Sequence, residues 1–207
     1  MKKSFENWFW EDLEIEFGLE QNNLPELDAW LDTSTIIISD KEREQLTKLS
    51  QRFNKYYKNW NEDELKMQFI APLLLIVDYY LENYLPFSQR YISAVVNKWE
   101  LAGRVDWMLS KGKQMPRKPY FFLHEYKREV SPDGDPQGQL LAELFAAQHL
   151  NQDNFPVYGC YVVGKDWTFM VLKANIYAVS RPYQANEAPD FDTIFKVLQK
   201  IKILLPQ

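Results

Sequence analysis

Cysteine is nearly absent from this sequence. Cys160 is the single one in 207 residues, so no disulfide can close within the chain. It lies in the apolar run VYGCYVV with no histidine paired to it, which fits a small buried hydrophobe rather than a nucleophile. Histidine is scarce too, with only His124 and His149, and no Cys/His spacing suited to zinc occurs. Glycine numbers seven, and neither a phosphate-binding loop nor a Gly-X-Ser-X-Gly elbow is present. Long apolar runs are missing: FIAPLLLIV is far short of a membrane span. The opening MKKSFENWFWEDLEIEF has two lysines followed at once by acids and no apolar stretch, so no signal peptide is read and the cytoplasm is the expected location. Positive charge is also lacking, with a net −5. The molecule as a whole does not attract a polyanion, so any grip on nucleic acid must be local or supplied by a metal ion.

What is present is a globular composition. Hydrophobic residues make up 46% and aromatics 15%, enough for a large aromatic core, and the length fits one domain. Residues 1–58 read as an N-terminal helical segment packed on a domain of residues 59–207, the two forming one compact unit. Short helices are expected within 5–31, interrupted near Asn22, Asn23 and Pro25, and a longer one over Lys41–Lys58 with Asp40 as its N-cap. A further helix starts at Asn61, with Glu62, Asp63 and Glu64 in its first turn. Leu65, Phe69, Leu73, Ile76 and Tyr80 form its apolar stripe, and Pro72 should kink or split it. Three strands follow in RYISAVVNKWEL, GRVDWMLSKG and PYFFLHEYKR, then the loop VSPDGDP and the helix QGQLLAELFAAQHLN. VYGCYVVG, WTFMVLK and IYAVS read as strands, and a helix over about 191–204 closes the chain. This order predicts an α/β fold: a central mixed sheet flanked by helices.

The chemistry concentrates in two strands. Asp106 sits in GRVDWML, while Glu125 and Lys127 sit one residue apart in PYFFLHEYKR and so share a strand face. Buried charges need partners or a metal, and carboxylates from adjacent strands make a hard oxygen site suited to Mg²⁺. A Glu-X-Lys triplet alone is common and usually marks a solvated strand. This one lies in an apolar strand, follows an Asp-bearing strand, and precedes a helix opening with Gln137 and Gln139.

On these residues the chain resembles the PD-(D/E)XK nuclease superfamily. That pattern carries a Glu on an early helix, an Asp on the second core strand, Glu-X-Lys on the third, and often a Gln on the next helix. The counterparts here are Glu64 in NEDELKMQFIAPLL, Asp106 in GRVDW, Glu125 and Lys127 in HEYKRE, and Gln139 in DPQGQLLAELFAAQ. These stretches look like those of uncharacterised bacterial members, and the likeness covers residues 61–150. Either Glu62 or Glu64 can fill the helix position. Glu64 is preferred because it shares a helix face with Gln68, although all three acids can equally serve to stabilise the helix N-terminus.

The resemblance implies a restriction-endonuclease-like core and an Mg²⁺- or Mn²⁺-dependent phosphodiesterase acting on nucleic acid, with DNA expected. Asp106, Glu125, the backbone carbonyl of Tyr126 and Glu64 would be metal ligands, and Lys127 would orient or deprotonate the attacking water. Members of this superfamily that cut both strands often work as dimers, so a homodimer is one expected state; a membrane partner is not. Some members keep the fold as a noncatalytic protein-interaction or regulatory module, which is the alternative. Lys111, Lys113, Arg117 and Lys118 form an acid-free basic loop that could follow a nucleic-acid backbone beside the site, with Arg128 adding to the field, although a solvated hairpin loop would look the same. His124 faces away from Glu125 and reads as a packed core histidine; His149 suits a helix end.

Overall fold

The computed structural model of the protein describes residues 1–127 and 134–205. The chain runs through β1 (Lys2–Ser4), α1 (Trp10–Phe17), β2 (Glu20–Gln21), α2 (Pro25–Leu31) and α3 (Asp40–Tyr56). Next come α4 (Glu62–Leu65) and α5 (Ala71–Val77), joined by a π-helical turn over Lys66–Ile70. Strands β3 (Leu85–Val96), β4 (Trp99–Lys111) and β5 (Arg117–Lys127) lead to α6 (Pro136–Asn151). The chain finishes with β6 (Val157–Val163), β7 (Asp166–Lys173), β8 (Ile176–Val179), β9 (Tyr183–Gln184) and α7 (Ala188–Leu204). Among the described residues no helix is long and apolar enough to cross a membrane.

The strands form one mixed sheet in the order β1–β4–β5–β6–β7–β8–β2, with β3 also on β4 and β9 on β7. β4 is antiparallel to both β3 and β5, whereas β6 runs parallel to β5 and is reached through α6. The sheet is the middle of three layers. On one face Trp30, Phe53, Phe69, Leu73, Phe195 and Leu198, from helices α2, α3, α5 and α7 and the π turn, pack against Phe122 and Phe169. On the other, Phe5, Trp8 and Leu13 join α6, whose residues 138–147 are all buried. A helix apolar on every side belongs inside a protein, and α6 is covered by α1 and the chain before it.

Several local expectations change. The run RYISAVVNKWEL is not one strand: it turns at Asn97 and Lys98, with Asn97 left-handed at φ 54°, and Val96 pairs with Trp99. Gly103, the expected start of the second strand, lies inside β4 opposite Ile92, and a Cβ there would stand 2.7 Å from the Phe5 ring. Ser39, not Asp40, caps α3: its N–H donates to the Glu42 carboxylate at 2.8 Å while its Oγ accepts the Glu42 N–H. The run expected to kink or split at Pro72 does divide just before it, into α4, the π turn and α5. A proline there lacks the N–H of the α-helical ladder and crowds the preceding turn, and the wider π turn just before it accommodates both effects. The first 58 residues also do more than add helices, since β1 and β2 enter the sheet at its two ends.

Gly138 shows how tightly the N-terminal segment is seated. A Cβ there would lie 2.5 Å from both the Trp8 carbonyl and the Trp10 nitrogen. These are backbone atoms, so relief requires moving α6 or the segment itself. Gly138→Ala should lower stability by about 1–3 kcal/mol, the usual cost of overpacking, read from urea unfolding midpoints. A midpoint equal to the wild type's would show that this contact is not tight.

Candidate active site

The site forms where two strands part. The β4–β5 ladder runs from Lys111 to Trp107, paired with His124, and stops there. Beyond this point β4 pairs with β1 at residues 100–102, while β5 continues along β6 to Lys127. Asp106 is the first β4 residue past the ladder. Its Oδ2 accepts the Tyr126 N–H at 3.1 Å, giving that backbone donor the partner the departing strand no longer supplies. On the opposite edge the β3 ladder skips the same level, pairing Ser88 with Trp107 and Arg90 with Val105. Gln89, between them, is left-handed at φ 54°, a conformation costing about 1–2 kcal/mol outside glycine. It donates from Nε2 to Asp106 Oδ1 at 2.6 Å, and Arg104 donates to its carbonyl at 3.0 Å. The faces of β4 also exchange here, with Val105 packed in the α6 layer and Trp107 in the opposite one.

Two helices complete the cluster. Lys66, in the π turn, donates to Glu62 Oε1 at 2.7 Å and lies 3.1 Å from the Asp106 carboxylate. From β5, Lys127 Nζ lies 2.7 Å from Glu125 Oε1, and Glu125 is only 2% exposed. From α6, Gln139 donates to Glu143 Oε1 at 3.3 Å. Glu143 is fully buried, and its Oε2 has no hydrogen-bond partner among the described residues.

Burial governs the electrostatics. It raises the Glu125 carboxyl from its ordinary 4.5 to about 7; the nearby Asp106 charge adds to this, while Lys127 and Lys66 oppose it. Glu143 is pushed well above the usual carboxylate range, first by burial and then by Glu125. Burial alone would pull Lys127 down, but the charge and hydrogen bond of Glu125, with Glu62 and Asp106, raise it. Lys127 is therefore a firmly cationic donor. The role of deprotonating a water, expected for it from a depressed pKa, is not supported by its surroundings. His124, on the other strand face, is fully buried and lowered to about 3, with Nδ1 2.8 Å from the Tyr126 hydroxyl. It is a neutral core residue.

The structure thus brings together Asp106, Glu125 and Lys127, with Gln139 reaching the cluster through Glu143. Glu64 is not part of it: its carboxylate accepts the Asn61 N–H at 2.8 Å and completes a capping box. Glu62 is the helix acid that joins, through Lys66. Lys66, Glu143 and Gln89 were not foreseen. Glu143 had a signal, an acid amid the apolar run LLAELFAA, and Glu62–Lys66 is an i,i+4 pair. A left-handed Gln89 has no sequence mark. The basic loop does not stand beside the site. Lys111 is five residues along β4 from Asp106, about 17 Å, at the far end of the hairpin. Lys113, Arg117 and Lys118 are exposed there, and Arg128 lies outside the described residues.

No protein-family model matches the chain, and no curated protein is significantly similar to it. The site has to be judged on its own chemistry.

Among the described residues, no three His, Cys, Asp or Glu side chains are grouped as a metal site. Glu62, Asp106 and Glu125 are paired with lysines instead. The oxygens available at the fork are Asp106, Glu125 and one carbonyl. Since the Lys127 carbonyl accepts the Gly164 N–H on the β6 side, the preceding Tyr126 carbonyl points to the β4 side, as its N–H does. Two carboxylates and a carbonyl fit a hard cation that keeps much of its water, as Mg²⁺ does.

The raised Glu125 carboxyl has a measurable consequence. The folded protein holds this proton more tightly than the unfolded chain does, so the stabilisation is full below pH 4.5 and is lost as pH rises through about 7. Glu143 acts in the same direction. His124, lowered to about 3, works the other way below about pH 6.5, so the Glu125 contribution is read as the difference between two profiles: from about pH 5 to about pH 8 the melting temperature of Glu125→Gln, which is neutral throughout, should gain on that of the wild type. Parallel profiles would mean that Glu125 does not titrate in this window.

Proposed function

We propose that the protein is a metal-dependent nuclease that hydrolyses phosphodiester bonds of nucleic acid, with DNA the expected substrate. The observation that carries this reading is the meeting of Asp106, Glu125 and Lys127 at the fork of β4 and β5. The order of elements supports it. Asp106 is on the second of three antiparallel strands, Glu125 and Lys127 on the third, and Gln139 on the helix that follows, as the PD-(D/E)XK resemblance implies.

Asp106, Glu125 and the Tyr126 carbonyl would hold Mg²⁺ or Mn²⁺, whose chemistry when bound is to polarise a phosphate and acidify a water. The chain's own residues do the rest. Gln89, Lys66 and the Tyr126 N–H hold the Asp106 carboxylate from three sides, and Lys66 would yield its place there to a metal ion. Lys127, kept cationic by Glu125, donates to the attacking water or to a phosphate oxygen. Glu62 holds Lys66 toward Asp106, and Gln139 and Glu143 pack beneath Glu125 from α6.

A second reading has its own observation. With Lys66 on Asp106 and Glu62, and Lys127 on Glu125, the cluster is close to neutral without any metal. That arrangement suits a noncatalytic interaction or regulatory module equally well.

Cleavage of plasmid, single-stranded DNA and RNA with Mg²⁺, Mn²⁺ or EDTA separates the two. Metal-dependent cutting should drop at least about a hundredfold in Asp106→Ala and in Lys127→Ala. Glu62→Gln should also slow cutting, whereas Glu64→Gln should lower stability and leave turnover near that of the wild type. Mn²⁺ should raise the wild-type melting temperature and not that of Asp106→Ala. Absence of both cutting and metal-induced stabilisation in the folded wild type would replace the nuclease with the interaction module.

A further inference from the structure

A cavity of about 290 Å³ lies between the C-terminal part of α5 and β3, lined by Leu74, Leu75, Tyr79, Tyr80, Phe87 and Trp107. It adjoins the site directly: Trp107 follows Asp106 on β4, and Ser88, also on its wall, precedes Gln89 on β3. Trp107 is its buried floor, while Tyr80 and Leu75 stand on the rim, 69% and 70% exposed; the Phe87 ring packs in the α6 layer. The Tyr79 ring is fixed by its hydroxyl, which donates to the Leu198 carbonyl at 2.6 Å. Farther along the same strands, Lys111, Lys113 and Arg117 line a second cavity of about 600 Å³, which Leu85 of β3 also reaches. From Asp106 outward, the order is acid cluster, aromatic cleft, then cations, all within about 17 Å along β4.

Aromatic walls alternating with cations are what a nucleic-acid single strand uses, its bases stacking and its phosphates meeting lysine and arginine. A duplex keeps its bases stacked inside and cannot fill such a cleft without extruding one. We propose that this cleft seats an unpaired base of a single-stranded nucleic acid, with the neighbouring phosphate at Asp106 and the strand continuing toward Lys111, Lys113 and Arg117. The proposal rests on the nuclease reading and narrows it to unpaired substrate. It also explains why two large side chains, Leu75 and Tyr80, stand in solvent beside a polar site.

The test is fluorescence anisotropy in EDTA, where no cutting occurs, with labelled oligothymidylate, oligouridylate and a blunt DNA duplex. At least one single strand should bind more tightly than the duplex. Tyr80→Ala and Leu75→Glu, both surface changes, should each weaken it about tenfold, the worth of one base stacked on an aromatic ring. Lys111→Glu with Lys113→Glu should weaken binding and flatten its salt dependence. Duplex binding as tight as either single strand, or wild-type affinity in both cleft variants, overturns the proposal. The two readings fail separately. Metal-dependent cutting with wild-type binding in both cleft variants removes the base seat alone. Tenfold weaker binding in those variants, with no cutting by the wild type, removes the nuclease reading and leaves the seat.

Discussion

Where β5 parts from β4, the backbone loses its ladder, and a side chain has to answer for what the sheet no longer bonds. Asp106 does this by accepting the Tyr126 N–H, and much of the architecture follows from that one contact. Parting frees that edge of β4 for β1, while β5 keeps β6 on its other edge out to Lys127. The crossover between β5 and β6 is α6, which lays Gln139 and Glu143 against the acid-bearing face of β5. The break in the β3 ladder at Gln89 is the same event seen from the other edge. A site with carboxylates from two strands is thus a by-product of how the sheet divides.

That division concentrates negative charge where water is scarce. Asp106, Glu125 and Glu143 lie within electrostatic reach of one another, with Lys66 and Lys127 to balance them among the described residues. Such a cluster is a poor source of stability, since desolvation consumes most of what ion pairing returns. Its retention makes more sense as a place where charge is kept ready than as a brace. Lysine contacts and a hard cation are two ways of meeting the same deficit. The unpartnered Glu143 oxygen marks the deeper end of that deficit.

Much of this could be read along the chain, and the limits were physical. Glu125 and Lys127 share a face because side chains alternate along any strand, so two residues sufficed to place them. Asp106 was legible from its apolar strand, and the mixed sheet from the order of patterns. The helix acid was misjudged because both Glu62 and Glu64 suit a helix start, and the choice lay in a capping box that uses Asn61 as partner. The turn at Asn97 was hidden because Lys98 and Trp99 continue the strand-like texture, while Gly103 marks a place where a phenylalanine needs room rather than the start of a strand. The basic loop looked close to Asp106 in sequence because hairpin length does not show which end of the hairpin a residue occupies. Gln89 was beyond reach, since its backbone conformation is imposed by neighbours on another strand.

The placement of the first strands has an effect on how the chain reaches its fold. β1 docks on β4, and β2 docks on β8 at the far side of the sheet. A ribosome delivers Glu20 long before Ile176, its register partner, so one end of this short stretch must stay undocked until nearly all other strands exist. Trp8 and Phe5 meanwhile have their pockets ready once α6 and β4 meet. The segment is therefore fastened in two steps, β1 once β4 exists and β2 only after β8, and the late step closes the sheet. Contacts of such long sequence separation slow folding more than they add to stability. A strand near one end of the sequence is thus clasped by one near the other.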